Sequence, residues 1–208
     1  MIGGPEAFYL GQLWVRINNS IKFRRGLELS TVVGLNIWQN FNLLKTPSES
    51  VLPHVRSDIQ EYLKNGKNNI QRIQLEYFAS PFKDIYFRAD FGLLEEMFAG
   101  VGGELLYRPF ESKSAFGVSI HKVKQRGFKQ RFKLREYETV TGHFSFYRSL
   151  PNQINSQLLV GKYLAGDKGI TLDLSRRFKT GFTLGVFASK TNLSAEEFGE
   201  GSFDKGFY

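Results

Sequence analysis

The sequence predicts an all-β protein built as an antiparallel up-and-down meander. Several short segments alternate apolar and polar residues with a period of two, which is the pattern of strands with two different faces. Phe and Gly are abundant, at 20 and 21 of the 208 residues, and this composition favours strands and tight returns. The connections are mostly short and carry Gly, Pro or Asn, as hairpin turns require. No strand–helix–strand rhythm appears, so a parallel nucleotide-binding sheet is not expected.

The first predicted elements cover residues 7–38. Residues 7–17 predict a strand, and Asn18-Asn19 predicts a tight turn because Asn tolerates positive φ. A short strand around 21–23 and a turn at 24–26 follow. Residues 27–38 predict a longer strand with a clear period of two. One of its faces carries Leu27, Leu29, Thr31, Val33, Leu35 and Ile37, and the other carries Glu28, Ser30, Val32, Gly34 and Asn36.

Residues 39–69 interrupt the alternation. This stretch is polar and contains two prolines and several Asn residues. It predicts a long polar loop within the domain, in which 56–64 forms one or two helical turns. Loops of this length inside a compact domain are usually functional or disordered.

Alternation resumes after residue 69. The tight returns between the segments indicate a meander of at least eight further strands. The final segment, GSFDKGFY, resembles the start of another strand, so we expect residues 1–208 to be one β-barrel segment of a longer protein. The predicted strands cover residues 70–78, 85–92, 103–110, 115–123, 137–150, 154–164, 169–178 and 181–191.

Two kinds of sheet fit this alternation. In a soluble sandwich or lipocalin-like barrel the apolar face points inward, whereas in a membrane barrel it points to lipid. Three features favour the membrane barrel: polar faces with charges of both signs, such as Thr171, Asp173, Ser175 and Arg177; one long return among shorter ones; and aromatic residues near strand ends. Those aromatic residues are Phe8, Tyr9, Trp14, Trp38, Phe41, Tyr77, Phe78, Tyr107, Phe110, Tyr147, Tyr163 and Phe178.

No motif of the sequence predicts catalysis. Gly100, Gly102 and Gly103 lack the Gly-Lys-Ser/Thr ending of a phosphate loop and precede a strand, so they indicate a bend, a bulge or a close backbone approach. The chain has no Cys, its three His residues lie far apart, and no nucleophile elbow is present. The adjacent Glu95 and Glu96 would point to opposite faces of a strand. We therefore expect no enzyme activity, no metal site and no cofactor.

The chain carries a net charge of +8, which attracts polyanions. The densest basic cluster is 121–135, HKVKQRGFKQRFKLR, where aromatic and cationic residues interleave. A solvated loop between two strands is the simplest interpretation. The same composition suits a sugar polymer, or single-stranded nucleic acid, but nucleic acid is not the expected partner.

Five segments of unusual sequence resemble the YjbH family of exopolysaccharide-biosynthesis outer-membrane proteins, whose members are often described as lipoproteins. The segments lie at 55–63, 95–112, 123–147, 161–181 and 194–206, and they include EEMFAGVGGELLYRPFES and GKYLAGDKGITLDLSRRFKTG. The resemblance implies a β-barrel in the outer membrane of a Gram-negative bacterium and a part in secreting or assembling an extracellular polysaccharide or capsule. Complete members are longer and carry an export signal. The resemblance therefore implies that this chain is the C-terminal barrel portion.

The resulting hypothesis is a non-enzymatic outer-membrane β-barrel component that assists production or export of an extracellular polysaccharide. The expected partners are an anionic polysaccharide or lipopolysaccharide, outer-membrane lipid and other proteins of an exopolysaccharide locus. The alternatives are a soluble periplasmic β-sandwich that binds carbohydrate and a polysaccharide-modifying enzyme. The candidate polysaccharide contacts are Arg88, Lys122, Arg126, Phe128, Arg131, Arg135 and Arg177.

Overall fold

The strands of this protein follow one another as hairpins along the chain. The computed structural model describes residues 2–4, 7–44, 53–193 and 203–208. The described strands are β1 (Ile2–Gly4), β2 (Ala7–Tyr9), β3 (Gln12–Lys22), β4 (Leu27–Gln39), β5 (Asn69–Phe82), β6 (Ile85–Leu93), β7 (Phe98–Tyr107), β8 (Ser114–Arg126), β9 (Leu134–Leu150), β10 (Ile154–Lys162), β11 (Lys168–Arg177), β12 (Thr183–Thr191) and β13 (Phe203–Phe207).

Helical structure is sparse in the described part of the chain. One α-helix, α1 (Ile59–Asn65), overlaps the helical turns predicted at 56–64, and 3-10 turns occur at Arg24–Gly26, Phe41–Leu43 and Pro151–Gln153. Within the described ranges, no helix has the length and apolar character needed to cross a membrane. Residues 45–52 of the predicted long loop lie outside the described residues.

The sheet order confirms the all-β class and the up-and-down meander. Strands β3 to β13 form one 11-stranded sheet in which each strand pairs with its neighbours in the chain, and β1 pairs with β2 separately. The order is linear, since β3 and β13 do not pair with each other among the described residues. Each return joins two strands that are adjacent in the sheet, so most of the strand pairs are hairpins.

The predicted turn at Asn18-Asn19 is wrong. Asn18 pairs with Val32 and Asn19 with Thr31, so β3 continues through both Asn residues. The chain turns at residues 24–26, where the second predicted turn is confirmed and Arg25 and Gly26 have φ of 61° and 78°. Pairing along the full length of β4 outweighs the local turn preference of Asn, because each pairing adds ladder hydrogen bonds and cross-strand contacts.

The described chain divides into two units. The first comprises 1–77, 90–101 and 123–138, and the second comprises 78–89, 102–122 and 139–208. In the first unit, Leu29 pairs with Leu75 and Leu27 with Tyr77 on one face of the sheet. The opposite face pairs Ser30 with Gln74, Glu28 with Glu76 and Val32 with Arg72. These pairs confirm the two predicted faces over residues 27–32.

The second unit shows the same division of faces. Val118 and Ile120 of β8 are 56% and 62% exposed, and Leu172 of β11 is also exposed. Thr171 of β11 instead bonds its hydroxyl to Ser189 at 2.7 Å. In both units, therefore, large apolar side chains are exposed on one face of the sheet, while polar side chains fill the other.

The glycines of β7 allow close packing within the second unit. A Cβ on Gly102 would collide with the ring of His121, and one on Gly103 would lie 2.9 Å from the carbonyl oxygen of Arg88. The predicted close approach is thereby confirmed. The glycines lie inside the strand rather than ahead of it.

Candidate functional site

In the first unit, the segment 53–68, here called the insert, packs against the ends of strands through Tyr62. The Tyr62 side chain is fully buried, and its hydroxyl donates a hydrogen bond to the carbonyl oxygen of Arg126 at 2.5 Å. Burial raises the pKa of the Tyr62 phenol, so the group stays protonated and able to donate. The Gln130 amide donates to the Tyr62 carbonyl at 3.2 Å, and the Gln125 amide donates to the carbonyl of His54 at 2.9 Å. The insert is thus fixed at several points.

Arg126 is the centre of this attachment. Its side chain is 0% exposed, and its guanidinium donates to the carbonyl oxygens of Ile70 at 2.7 Å, Glu95 at 2.5 Å and Arg131 at 3.1 Å. A fourth bond reaches the carbonyl of Gln71 at 3.3 Å. These carbonyls come from three separate segments of the chain. The planar fork of donors suits such a task better than a Lys ammonium would.

Aromatic and charged contacts add to the attachment. The ring of Phe128 meets Tyr62 edge-on with a centroid distance of 5.2 Å, and the Arg135 guanidinium lies 4.2 Å from the Phe128 centroid. Arg135 also pairs with Asp58 at 2.9 Å, and Asp58 pairs with His54 at 2.7 Å. Phe128 and Arg135 are therefore engaged with the insert.

A cavity of about 490 Å³ with both polar and apolar lining lies in the same unit, and we call it the first cavity. Arg16, Val32, Gln71 and Arg72 line it from β3, β4 and β5. The remaining lining residues are Arg56 and Ile59 of the insert and Glu95, Glu96 and Met97 of the return between β6 and β7. The cavity therefore presents guanidinium, amide and carboxyl groups together.

The two carboxyl groups of the first cavity have different surroundings. Glu95 pairs with Arg56 at 2.8 Å. Burial, followed by the neighbouring charge of Glu95, raises the pKa of the Glu96 carboxyl. The expectation that adjacent Glu side chains point to opposite faces does not apply, because both residues lie in a return rather than in a strand.

The second unit contains a separate cleft of about 440 Å³ on its polar side, the second cavity. The Tyr208 hydroxyl lies 3.1 Å from both carboxylate oxygens of Asp173, and the Gln157 amide lies 3.3 Å from the Tyr147 hydroxyl. Glu104 also lines this cleft and pairs with Arg88 at 3.4 Å. Carboxylate and amide groups therefore line the second cavity together with Tyr rings.

Comparison with known proteins gives the family. The family model YjbH, described as exopolysaccharide biosynthesis protein YbjH, matches residues 1–208. The chain belongs to the YjbH family. It is 39% identical over 215 residues to "Uncharacterized lipoprotein YjbH" of Escherichia coli (strain K12). The match covers 100% of this chain and 31% of that relative, so the chain spans about a third of the relative's length. No solved structure matches.

The predicted contact residues of this YjbH family chain fall into separate places. The first unit contains Arg126, Phe128, Arg131 and Arg135, and Arg131 is exposed apart from its carbonyl bond to Arg126. In its described position Arg126 has no exposed surface, so a polymer could reach it only after the surrounding carbonyls move. In the second unit, Arg88 pairs with Glu104, Lys122 is exposed, and Arg177 lines a third cleft, of about 460 Å³, at the end of β11. Lys122 has the same position in the alternation as the exposed Val118 and Ile120.

The basic cluster 121–135 is not a solvated loop over most of its length. Residues up to Arg126 belong to β8, and β9 begins at Leu134. Within the connection, Gln130 is buried and its amide oxygen accepts from Asn69 at 2.9 Å. Gln130 and Asn69 therefore bond to each other inside the first unit.

Sequence reasoning missed several residues of the first cavity. Arg16 and Arg72 belong to polar strand faces, and alternation alone assigns them no partner. The β4–β5 pairing shifts between Val32 and Val33 and skips Gln71, and regular alternation does not predict such a shift. The sequence signal for this site was the presence of Arg16, Gln71 and Arg72 in strands that otherwise alternate. Nothing in the sequence showed that three strands and a return meet there.

Proposed function

We propose that this chain forms part of an outer-membrane β-barrel and takes a non-enzymatic part in producing or exporting an extracellular polysaccharide. The family description supports the link to exopolysaccharide biosynthesis. The lipoprotein name of the Escherichia coli relative supports membrane association.

The distribution of exposed and buried side chains carries this proposal. Large apolar side chains are exposed on strand after strand, including Ile17, Ile37, Ile120 and Leu172. Within the described residues, the buried polar or charged set is at least as large as the buried apolar set: it comprises Asn69, Gln71, Gln74, Asp90, Gln125, Arg126, Gln130, Thr141, Ser145 and Asp167. A water-soluble sandwich buries its apolar face. A membrane barrel directs that face to lipid and keeps polar groups inside.

The role of the protein in this proposal is physical. The +8 net charge lowers the energy of an anionic sugar chain near the polar face, and many weak contacts permit movement rather than tight capture. Arg88, Arg131, Arg135 and Arg177 are the proposed contacts of this kind, and Arg88 and Arg135 would bind polymer while also paired with Glu104 and Asp58. Lys122 shares the face of Val118 and Ile120 and is not proposed as a contact. Arg126 anchors the insert instead, and Phe128 stacks beside it.

Fractionation with heat-modifiable gel mobility tests the proposal. The full-length protein should sediment with the outer membrane and should change its mobility only after boiling in detergent. Cells lacking the protein should release less extracellular polysaccharide, and the wild-type gene should restore the amount. A soluble periplasmic protein without a heat shift would contradict the barrel. Release of reducing ends from purified polymer would contradict the non-enzymatic role.

A further inference from the structure

The first cavity combines cationic groups from two strands that are not neighbours. Arg16 of β3 pairs in register with Gly34, and Arg72 of β5 pairs with Val32, so β4 separates the two guanidinium-bearing strands. Neighbouring strands lie about 4.8 Å apart, so these two backbones are separated by roughly 10 Å. Both side chains are exposed. Val32 of β4 lines the cavity between them. Arg72 donates from Nε to the Leu94 carbonyl at 3.3 Å, so its two terminal nitrogens are the groups that a ligand would meet.

A buried amide also lines the cavity. Gln71 is 5% exposed, and its side-chain nitrogen has no hydrogen-bond partner among the described residues. A buried amide without a partner is unfavourable, because the group has lost its water and gained nothing in exchange. Gln71 lines the first cavity, so a ligand there could accept this missing hydrogen bond.

The carboxyl groups restrict which ligand fits. Glu95 and Glu96 lie in the same cavity as the guanidinium groups, and their oxygens repel a compact dianion such as phosphate. Carboxylate oxygens readily accept from hydroxyl groups, whereas guanidinium groups pair well with a carboxylate. A ligand with one carboxylate and several hydroxyls satisfies both kinds of group.

We infer that the first cavity binds a carboxylate-bearing sugar unit of an acidic polysaccharide. This inference rests on the proposed function and names the substrate class for it. Arg16 and Arg72 bind the sugar carboxylate, the Gln71 amide donates to a sugar oxygen, and Glu96 accepts from a hydroxyl. The volume of about 490 Å³ lies within the range of about 300–1,000 Å³ that is typical of ligand pockets.

Calorimetric titration of the full-length protein in detergent micelles tests the site, with trigalacturonate as the probe and its neutral methyl ester as the comparison. The acid should bind, and the ester should bind about tenfold more weakly or worse, because it loses its charge-assisted bonds. Arg16→Ala and Arg72→Ala should each weaken binding of the acid by a similar factor. Lys22→Ala is the matched control, since Lys22 lies on the same face of β3 as Arg16 but does not line the cavity.

Two further variants separate binding from folding. Gln71→Met keeps the side-chain length and should weaken binding without changing heat-modifiable mobility, and Arg72→Lys should restore part of the affinity. Equal binding of acid and ester, or equal affinities of the two Arg variants and Lys22→Ala, would overturn the inference. Displacement of trigalacturonate by an equal concentration of inorganic phosphate would show a simple anion site and would also overturn it.

The same samples keep this inference separate from the proposed function. A heat shift without trigalacturonate binding refutes the sugar site and leaves the barrel intact. Binding without a heat shift or membrane sedimentation refutes the barrel and leaves the sugar site intact.

Discussion

Replacing Ile120 by Arg distinguishes a lipid-facing strand from a water-facing one. Ile120 is the middle residue of β8 and is 62% exposed, so the longer side chain meets no steric obstacle. On a water-exposed surface such a change alters the free energy of unfolding by no more than about 0.5 kcal/mol. At the middle of a bilayer it costs about 2–4 kcal/mol. The two environments therefore predict clearly different results.

The assay is urea unfolding of the full-length protein in phospholipid vesicles, followed by gel mobility before and after boiling. We expect Ile120→Arg to lower the free energy of unfolding by about 2–4 kcal/mol. Ser119→Arg, on the opposite face of β8, is the matched control and should change it much less. Ile120→Ala measures the part that comes from lost apolar contact. If Ile120→Arg unfolds within about 0.5 kcal/mol of the wild type, the apolar face does not contact lipid.

Three further predictions follow from single contacts. Tyr62→Phe removes the hydrogen bond from the Tyr62 hydroxyl to the Arg126 carbonyl and should lower the free energy of unfolding by about 1–3 kcal/mol. Hydrogen exchange should become faster only in the insert. Exchange equal to that of the wild type would contradict the anchoring role. Because the pKa of Glu96 is raised above its ordinary value of 4.5, the folded state binds its proton more tightly than the unfolded state. The free energy of unfolding should then fall as pH rises from about 4.5 through the raised pKa, and denaturant titrations should show a smaller fall in Glu96→Gln. A Cβ at Gly161 would collide with the Gly142 carbonyl oxygen. Gly161→Val should therefore reduce the amount of folded protein, seen as the gel band of the unboiled sample. An unchanged band would contradict the close approach of β9 and β10.

Alternation was enough to predict most of the strands and their faces. In residues 27–37 one set of alternate positions is apolar except for Thr31, the other is polar or small except for Val32, and the two sets lie on opposite faces of β4. A period of two is a local property of the chain, so it can be recognised from the sequence alone. Asn18-Asn19 failed as a turn signal because the decision between turn and strand depended on pairing with β4, which a local pattern does not contain.

The candidate site was less predictable for the same reason. Arg126 is basic and was predicted to contact polymer, but its surroundings are carbonyls from residues 70–71, 95 and 131. The positions of backbone carbonyls cannot be predicted from the identities of the side chains. Tyr62 lies in a stretch that resembles a polar loop, and only its packing against the strand ends shows that the insert is fixed.

Lipid contact at neighbouring positions of β8 tests the central claim most directly. Single-Cys variants of the full-length protein, Val118→Cys and Ser119→Cys, would carry a bimane label in vesicles that contain spin-labelled phospholipids. The account predicts strong quenching at position 118, which is 56% exposed on the apolar face, and weak quenching at position 119 on the polar face. Equal quenching at both positions, or stronger quenching at 119, would show that the exposed apolar face of this sheet does not point to lipid.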